Sequence, residues 1–453
     1  MKIIEGLQSG AVLQRDERHF CCVRFKAEFK GEPKISLGKL EHLKEDLWLL
    51  KGLFIGGPYT VTISDDESAE TFTDLYVGDV WILAGQSNME GMGRNTADEL
   101  AAAANPNPIV RAYRPDKKWV AATPVSHQIS LSEDPYIKTF WDNAVETCAV
   151  EVSDRPMMFY RGVGPGVYIG KRMLENTDVP QGIVPCAVGG TPIEKWIPSG
   201  EDNFYYAALR TMHCAGGNFR GMFWCQGEGN PNWEVYPSQL QSIRDGICKE
   251  FDLKELPTVV GQSGHFKAPD AFKTENQYIW SRFREMQRKL PETLEKVITV
   301  ACNDLSLDDL IHVSSDGHKI FGRRMADAMD HLVTGAGYDE PTIGKITAFK
   351  DPCVPDFYNL RIRIDNTNGD LCSNGNPSGF AFKHIEDDEV PTEARISCMT
   401  LRRNYVLIRT EMSLNELKKL ELWYDFGHRI FCNITDGSGR AILSTGPVSL
   451  ADL

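Results

Sequence analysis

The chain has 453 residues, 42% of them hydrophobic and 25% charged, and a net charge of −14 from 49 Lys and Arg against 63 Asp and Glu. That length suits two to four domains of ~100–200 residues, and the composition excludes a wholly disordered or fibrous protein. An acidic surface repels phosphate backbones and anionic lipids, so neither nucleic acid nor a membrane is expected as a partner. No apolar run approaches the ~20 residues that span a bilayer. Met1 to Gly10 lacks the apolar core and cleavage pattern of a signal peptide. The expected location is therefore the cytoplasm, or outside the cell if a leader has been trimmed. The 12 cysteines are scattered, with no C-x-x-C pair, which predicts reduced, mostly buried thiols rather than a zinc ribbon or a redox motif.

Residues 1–75 alternate apolar and polar positions in short runs, as in Phe20-Cys21-Cys22-Val23-Arg24-Phe25 and Tyr59-Thr60-Val61-Thr62-Ile63. This pattern predicts an N-terminal β-domain. From 76 to 335 compact apolar runs alternate with helical stretches: Val80–Leu83, Ile183–Val188, Met222–Cys225, Thr258–Val260 and Val297–Ala301. Strands that are apolar on both faces and spaced by helices predict a mainly parallel sheet in an α/β domain. The clearest helix is Asp316 to His331, with Asp316 as cap and Ile320, Met325 and Met329 on its apolar face. After 336 the β pattern returns in Leu360–Ile364, Tyr405–Ile408 and Leu420–Tyr424, which predicts a sandwich-like C-terminal domain over 336–453.

The strongest chemical signal is Gly85-Gln86-Ser87-Asn88-Met89, directly after the first parallel strand. Open α/β sheets place their ligands past the C-terminal ends of strands, and a helix following Ser87 would favour negative charge beside it. A nucleophilic serine needs a base, and the base needs a carboxylate to orient it. Among the histidines of residues 76–335, His312 alone sits in a short D-x-x-H pattern after a predicted strand, with Asp309 three residues earlier. Donors for an oxyanion are available at Gly189-Gly190-Thr191 and at Gln226-Gly227-Glu228-Gly229-Asn230, each after a predicted strand. A second G-Q-S, Gly261-Gln262-Ser263-Gly264-His265, has no carboxylate nearby in sequence and reads as a loop bordering the site. Cys225 lies inside an apolar run and His318 in the first turn of the next helix, so both read as structural.

Taken in order, Gly85-Gln86-Ser87-Asn88-Met89-Glu90, Gly189-Gly190-Thr191-Pro192-Ile193-Glu194-Lys195-Trp196, Trp224-Cys225-Gln226-Gly227-Glu228-Gly229-Asn230 and Asp309-Leu310-Ile311-His312 resemble the SGNH hydrolases of the sialate O-acetylesterase and acetylxylan esterase group. Trp280 with Arg284-Glu285-Met286-Gln287 is similar to that group's W-x-x-x-R-E-x-Q helix, and Val12-Leu13-Gln14-Arg15 and Gly78-Asp79-Val80-Trp81 to its leader domain. The resemblance covers most of residues 10–330. It implies an SGNH-type three-layer α/β/α core, with a mainly parallel sheet, flanked by the N- and C-terminal β-domains. It implies Ser87 as nucleophile, His312 as base and Asp309 as its orienter, with oxyanion donors from the Ser87 N–H, Gly189 or Gly190, and Gln226 or Asn230. Trp196 and Glu194 would line the sugar site, with Trp196 stacking on the ring. No cofactor or metal is called for.

The implied activity is removal of O-acetyl groups from carbohydrates, with acetylated oligosaccharides or sialic acid as substrate. The −14 charge favours neutral acetylated oligosaccharides over an anionic sialate. Two other classes compete: a non-catalytic carbohydrate-binding protein, and an SGNH lipase or thioesterase. Intact Ser87, Asp309 and His312 speak against the first, and acyl-chain preference would separate the second. Neither the sugar nor the oligomeric state follows from the sequence.

Overall fold

The computed structural model describes residues 1–147, 161–229, 232–385 and 390–453. The fold is mixed α/β: a central mixed sheet with further β-sheet regions at both ends of the chain. At the N-terminus, Lys2–Glu5, Phe20–Glu28, Leu47–Phe54 and Lys39–Lys44 pair antiparallel in that spatial order. Phe20–Glu28 buries every second residue, the period-2 pattern its sequence dictates.

The central sheet contains β1 (Ala69–Gly85), β2 (Val110–Tyr113), β3 (Trp119–Ala121), β4 (Gln181–Pro185), β5 (Gly221–Cys225), β6 (Thr258–Gly261) and β7 (Val297–Val300). Their spatial order is β3-β2-β4-β1-β5-β6-β7, and every pair is parallel except the β2–β3 edge hairpin. The long β1 has two roles. Its first half pairs antiparallel with Gly56–Ser64, and its second half lies between β4 and β5. Val12–Gln14 adds parallel pairing to β1, and Arg15 closes the corner with two 2.8 Å bonds to the buried Asp79 carboxylate.

The strands β4 to β7 are buried along their whole length, as their unbroken apolar runs require. Val80, Ile82, Met222, Trp224 and Val260 share a core with residues of α3 (Phe204–Ala215) and α4 (Tyr236–Phe251). The alternate residues Trp81, Leu83, Phe223, Val259 and Ile298 share a separate core with α2 (Gly166–Thr177) and α6 (Ser315–Thr334). In α6, Met325 and Met329 are buried as expected. Two details differ: Ser314, not Asp316, caps the helix by accepting the Gly317 N–H, and Ile320 is exposed.

In the C-terminal region a four-stranded antiparallel sheet (Thr342–Lys350, Tyr358–Asp365, Tyr405–Met412, Ile396–Arg402) faces a three-stranded one (Phe380–His384, Leu420–Tyr424, Thr445–Ser449) across a shared core. It is seated on helix α5 (Thr274–Arg288) through fully buried charge: the Arg284 guanidinium donates to the Asp425 carboxylate and to the Gly427 carbonyl. Among the described residues the cysteines are free thiols. Cys21, Cys186, Cys225, Cys302 and Cys432 are buried, whereas Cys353, Cys372 and Cys398 are exposed, so burial is less general than composition suggested. No helix among the described residues is long and apolar enough to cross a membrane.

Candidate active site

The segments singled out from the sequence meet past the C-terminal ends of β1, β4, β5 and β7, where β1 is flanked on both sides and the chain leaves in opposite directions. Gly85 makes the turn possible. Its φ is +122°, and a Cβ there would stand 2.1 Å from the Cys225 carbonyl oxygen, so only glycine fits. Ser87 opens a single helical turn, α1 (Ser87–Glu90), all four residues of which are buried. The Ser87 side of the turn touches the glycine segment after β4: a Cβ on Gly189 would lie 3.3 Å from the Ser87 Cβ.

Asp309 and His312 form a tight local pair on the loop between β7 and α6. The Asp309 carboxylate accepts the Ile311 N–H at 2.9 Å and the His312 N–H at 2.8 Å through Oδ1, and meets His312 Nδ1 at 2.7 Å through Oδ2. Partial burial pushes this carboxyl up, but the imidazole and the two backbone donors outweigh it and hold the group well below the usual carboxylate range. With Nδ1 committed to Asp309, Nε2 is the nitrogen left to face a substrate. The loop is tied to the serine turn directly, because the Val313 N–H donates to Asn88 Oδ1 at 2.9 Å. Among the described residues Ser87 Oγ makes no hydrogen bond to the His312 ring.

Glu228, passed over in the sequence because it sits among glycines, joins these parts. Its carboxylate accepts Gln86 Nε2 at 2.7 Å and Asn88 Nδ2 at 3.0 Å, one oxygen each. Burial raises its pKa, opposed by its own N–H, by Asn88 and by nearby His312. Asn88 thus spends both ends of its amide on Glu228 and Val313. Glu90 was also missed. It is buried and accepts the Gly189 N–H at 2.5 Å. A third overlooked residue, Arg94, reaches the Asp309–His312 loop from an exposed position, its N–H bonded to the Asp308 carboxylate and its guanidinium to the Asp308 carbonyl.

The expected oxyanion donors separate into two kinds. The Gly189 N–H is held by Glu90, and the Gln226 amide is buried and directed at the Thr191 carbonyl at 3.3 Å. Gly190, at φ +71°, is exposed and has open space around its Cα, and among the described residues its N–H and that of Ser87 have no acceptor. Trp196 does not present its ring to a sugar. It is 1% exposed, stacks on Phe204, meets Trp224 edge-on, and donates its indole N–H to Thr191 Oγ1, so its size is spent on the core. Glu194 is exposed in the short turn Ile193–Trp196. Asn230 lies outside the described residues.

The remaining candidates are structural. Burial raises the Cys225 thiol well above its ordinary value, which suppresses the thiolate. His318 is fully buried, and burial pushes it down to about 3, so it stays neutral. His265 does find a carboxylate, Asp425 at 3.1 Å, but from the C-terminal region and inside a buried network with Arg284 and Ser444.

The sheet and this cluster belong to a carbohydrate esterase, as the likeness to known proteins shows. Residues 77–331 match the family model described as carbohydrate esterase, sialic acid-specific acetylesterase, and the chain belongs to that family. It is 25% identical over 280 residues to a probable carbohydrate esterase of Arabidopsis thaliana, covering 58% of this chain and 94% of the relative. Its fold is similar to the crystal structure of a carbohydrate acetylesterase from Xanthomonas citri, with a TM-score of 0.71, 19% identity and 98% of each chain covered.

Proposed function

We propose that this carbohydrate esterase removes O-acetyl groups by two-step acyl transfer on an SGNH-type three-layer core. His312 takes the Ser87 proton as Oγ attacks the acetyl carbonyl. The same histidine returns a proton to the departing sugar oxygen. It then activates the water that releases acetate from the acyl-serine. Asp309 fixes the imidazole with Nε2 toward the serine and stabilises the imidazolium. The tetrahedral oxyanion is received by the N–H groups of Ser87 and Gly190. The observation that carries this reading is the Asp309–His312 pair at 2.7 Å, on a loop bonded to the residue next to Ser87. The Ser87–His312 hydrogen bond forms with substrate in place, since such contacts are often open in unliganded enzymes.

The family and the fold likeness support an acetylated carbohydrate as the substrate, and the −14 net charge favours a neutral one. On the same reading residues 1–75, 76–335 and 336–453 are three domains, with β1 passing from the first into the second. The test is turnover of p-nitrophenyl acetate. Ser87→Ala and His312→Ala each lower kcat by about 10⁴-fold or more while the circular dichroism spectrum is kept. Activity retained in Ser87→Ala overturns the mechanism. A rate that rises with acyl chain length points instead to a lipase or thioesterase.

A further inference from the structure

Glu90 ends the same helical turn that Ser87 begins, and its side chain crosses to the neighbouring strand end to accept the Gly189 N–H at 2.5 Å. The approach is close: a Cβ on Gly189 would sit 3.0 Å from Glu90 Oε2 and 3.4 Å from Met92 Cε, besides its contact with Ser87. A free glycine pair has a wide choice of φ and ψ. The Glu90 bond removes that choice on one side of Gly190.

We propose that Glu90 is a positioning residue for the hydrolysis: by holding the Gly189 N–H it fixes the Gly189–Gly190 turn against the Ser87 turn, and so sets where the Gly190 N–H stands relative to the reacting carbonyl. The proposal rests on the Ser87 mechanism above. A displacement of about 1 Å in such a group costs about 10²-fold in rate.

The chemistry of the pocket adds a pH signature. Behind Glu90 lies a cavity of about 20 Å³, the size of one water molecule, bordered by Thr123, Ser126 and His127. Burial raises the Glu90 carboxyl to about 8, so at neutral pH it is the uncharged acid, and its carbonyl oxygen accepts the glycine N–H. His127, the other titratable group among the described residues lining the cavity, is driven down to about 3 by burial and is neutral, so it offsets no charge on Glu90. Glu228 and the Asp309–His312 pair, tied to the same serine turn through Asn88, are unchanged in any Glu90 variant. An ionised Glu90 next to the developing oxyanion repels it, so kcat falls as pH passes about 8.

The experiment compares wild type, Glu90→Ala and Glu90→Gln on p-nitrophenyl acetate across pH 6–10, with active sites counted by a serine-directed organophosphonate. Glu90→Ala lowers kcat per titrated site by about 10- to 100-fold with KM little changed. Glu90→Gln keeps the acceptor oxygen, recovers kcat to within about fivefold at pH 7, and loses the alkaline fall because it cannot ionise. Wild-type kcat per site in Glu90→Ala, or an unchanged alkaline fall in Glu90→Gln, overturns the proposal. The glutamine isostere decides the matter even if the alanine variant does not fold. Failure of the underlying mechanism reads differently, as labelling and turnover that persist in Ser87→Ala.

Discussion

At the scale of single residues, the site depends on bonds between groups far apart in the chain. Asn88 and Val313 are 225 residues apart, yet their 2.9 Å bond sets the histidine loop beside the serine turn. The D-x-x-H pair was legible because it is local: one carboxylate three residues before an imidazole makes its contacts within a single loop. Asp309→Asn keeps the shape but favours the wrong imidazole tautomer, so kcat falls by about 10⁴-fold with stability little changed. The clamp of Glu228 on Gln86 and Asn88 was not legible, since a carboxylate amid glycines looks like a solvated turn. Glu228→Gln puts an amide donor against another donor. It costs about 1–3 kcal/mol of stability, read as a lower urea midpoint, together with a reduced kcat. Glu90 gives a thermodynamic signature independent of catalysis. Its folded pKa of about 8 lies above its ordinary value of 4.5, so it contributes fully to stability below pH 4.5 and loses that contribution as pH rises through 8. The slope over that window is about 1.4 kcal/mol per pH unit. Glu90→Gln therefore gains in Tm relative to wild type between pH 5 and pH 8.5, and a constant difference contradicts the assignment.

At the scale of elements, the parallel strands were readable because strands buried on both faces have little choice but unbroken apolar runs. β1 was readable only in its second half. Ala69–Asp74 is mostly exposed and polar, so nothing in its composition announces that one strand runs from its pairing with Gly56–Ser64 into the middle of the parallel strands. The α6 boundary was displaced for a local reason. Ser314, Ser315 and Asp316 are all capping residue types, and only geometry shows that Ser314 takes the Gly317 N–H. Ser314→Ala should cost about 1 kcal/mol, read as a lowered thermal midpoint. Trp196 shows the opposite error. An aromatic residue after a glycine motif suggests a sugar platform, yet the core between β5 and α3 needed its volume.

At the scale of the whole molecule, the W-x-x-x-R-E-x-Q helix acts as joinery. Arg284 meets Asp425 and Gly427 in the C-terminal region, while Gln287 accepts the Ser263 N–H at 2.7 Å and donates to the Gln226 carbonyl at 3.2 Å, just behind the site. Such contacts are not readable from one sequence, because the Arg284–Asp425 partners are 141 residues apart and neither segment shows what the other will supply. Asp425→Ala strands a buried guanidinium and should lower the unfolding free energy by about 3–5 kcal/mol, measured by urea denaturation. The most direct test of the central claim is acetate release from acetylated xylo-oligosaccharides by wild type and by folded Ser87→Ala under the same conditions. Wild type should release acetate and the variant should fall by about 10⁴-fold or more. Equal release by both would contradict the account.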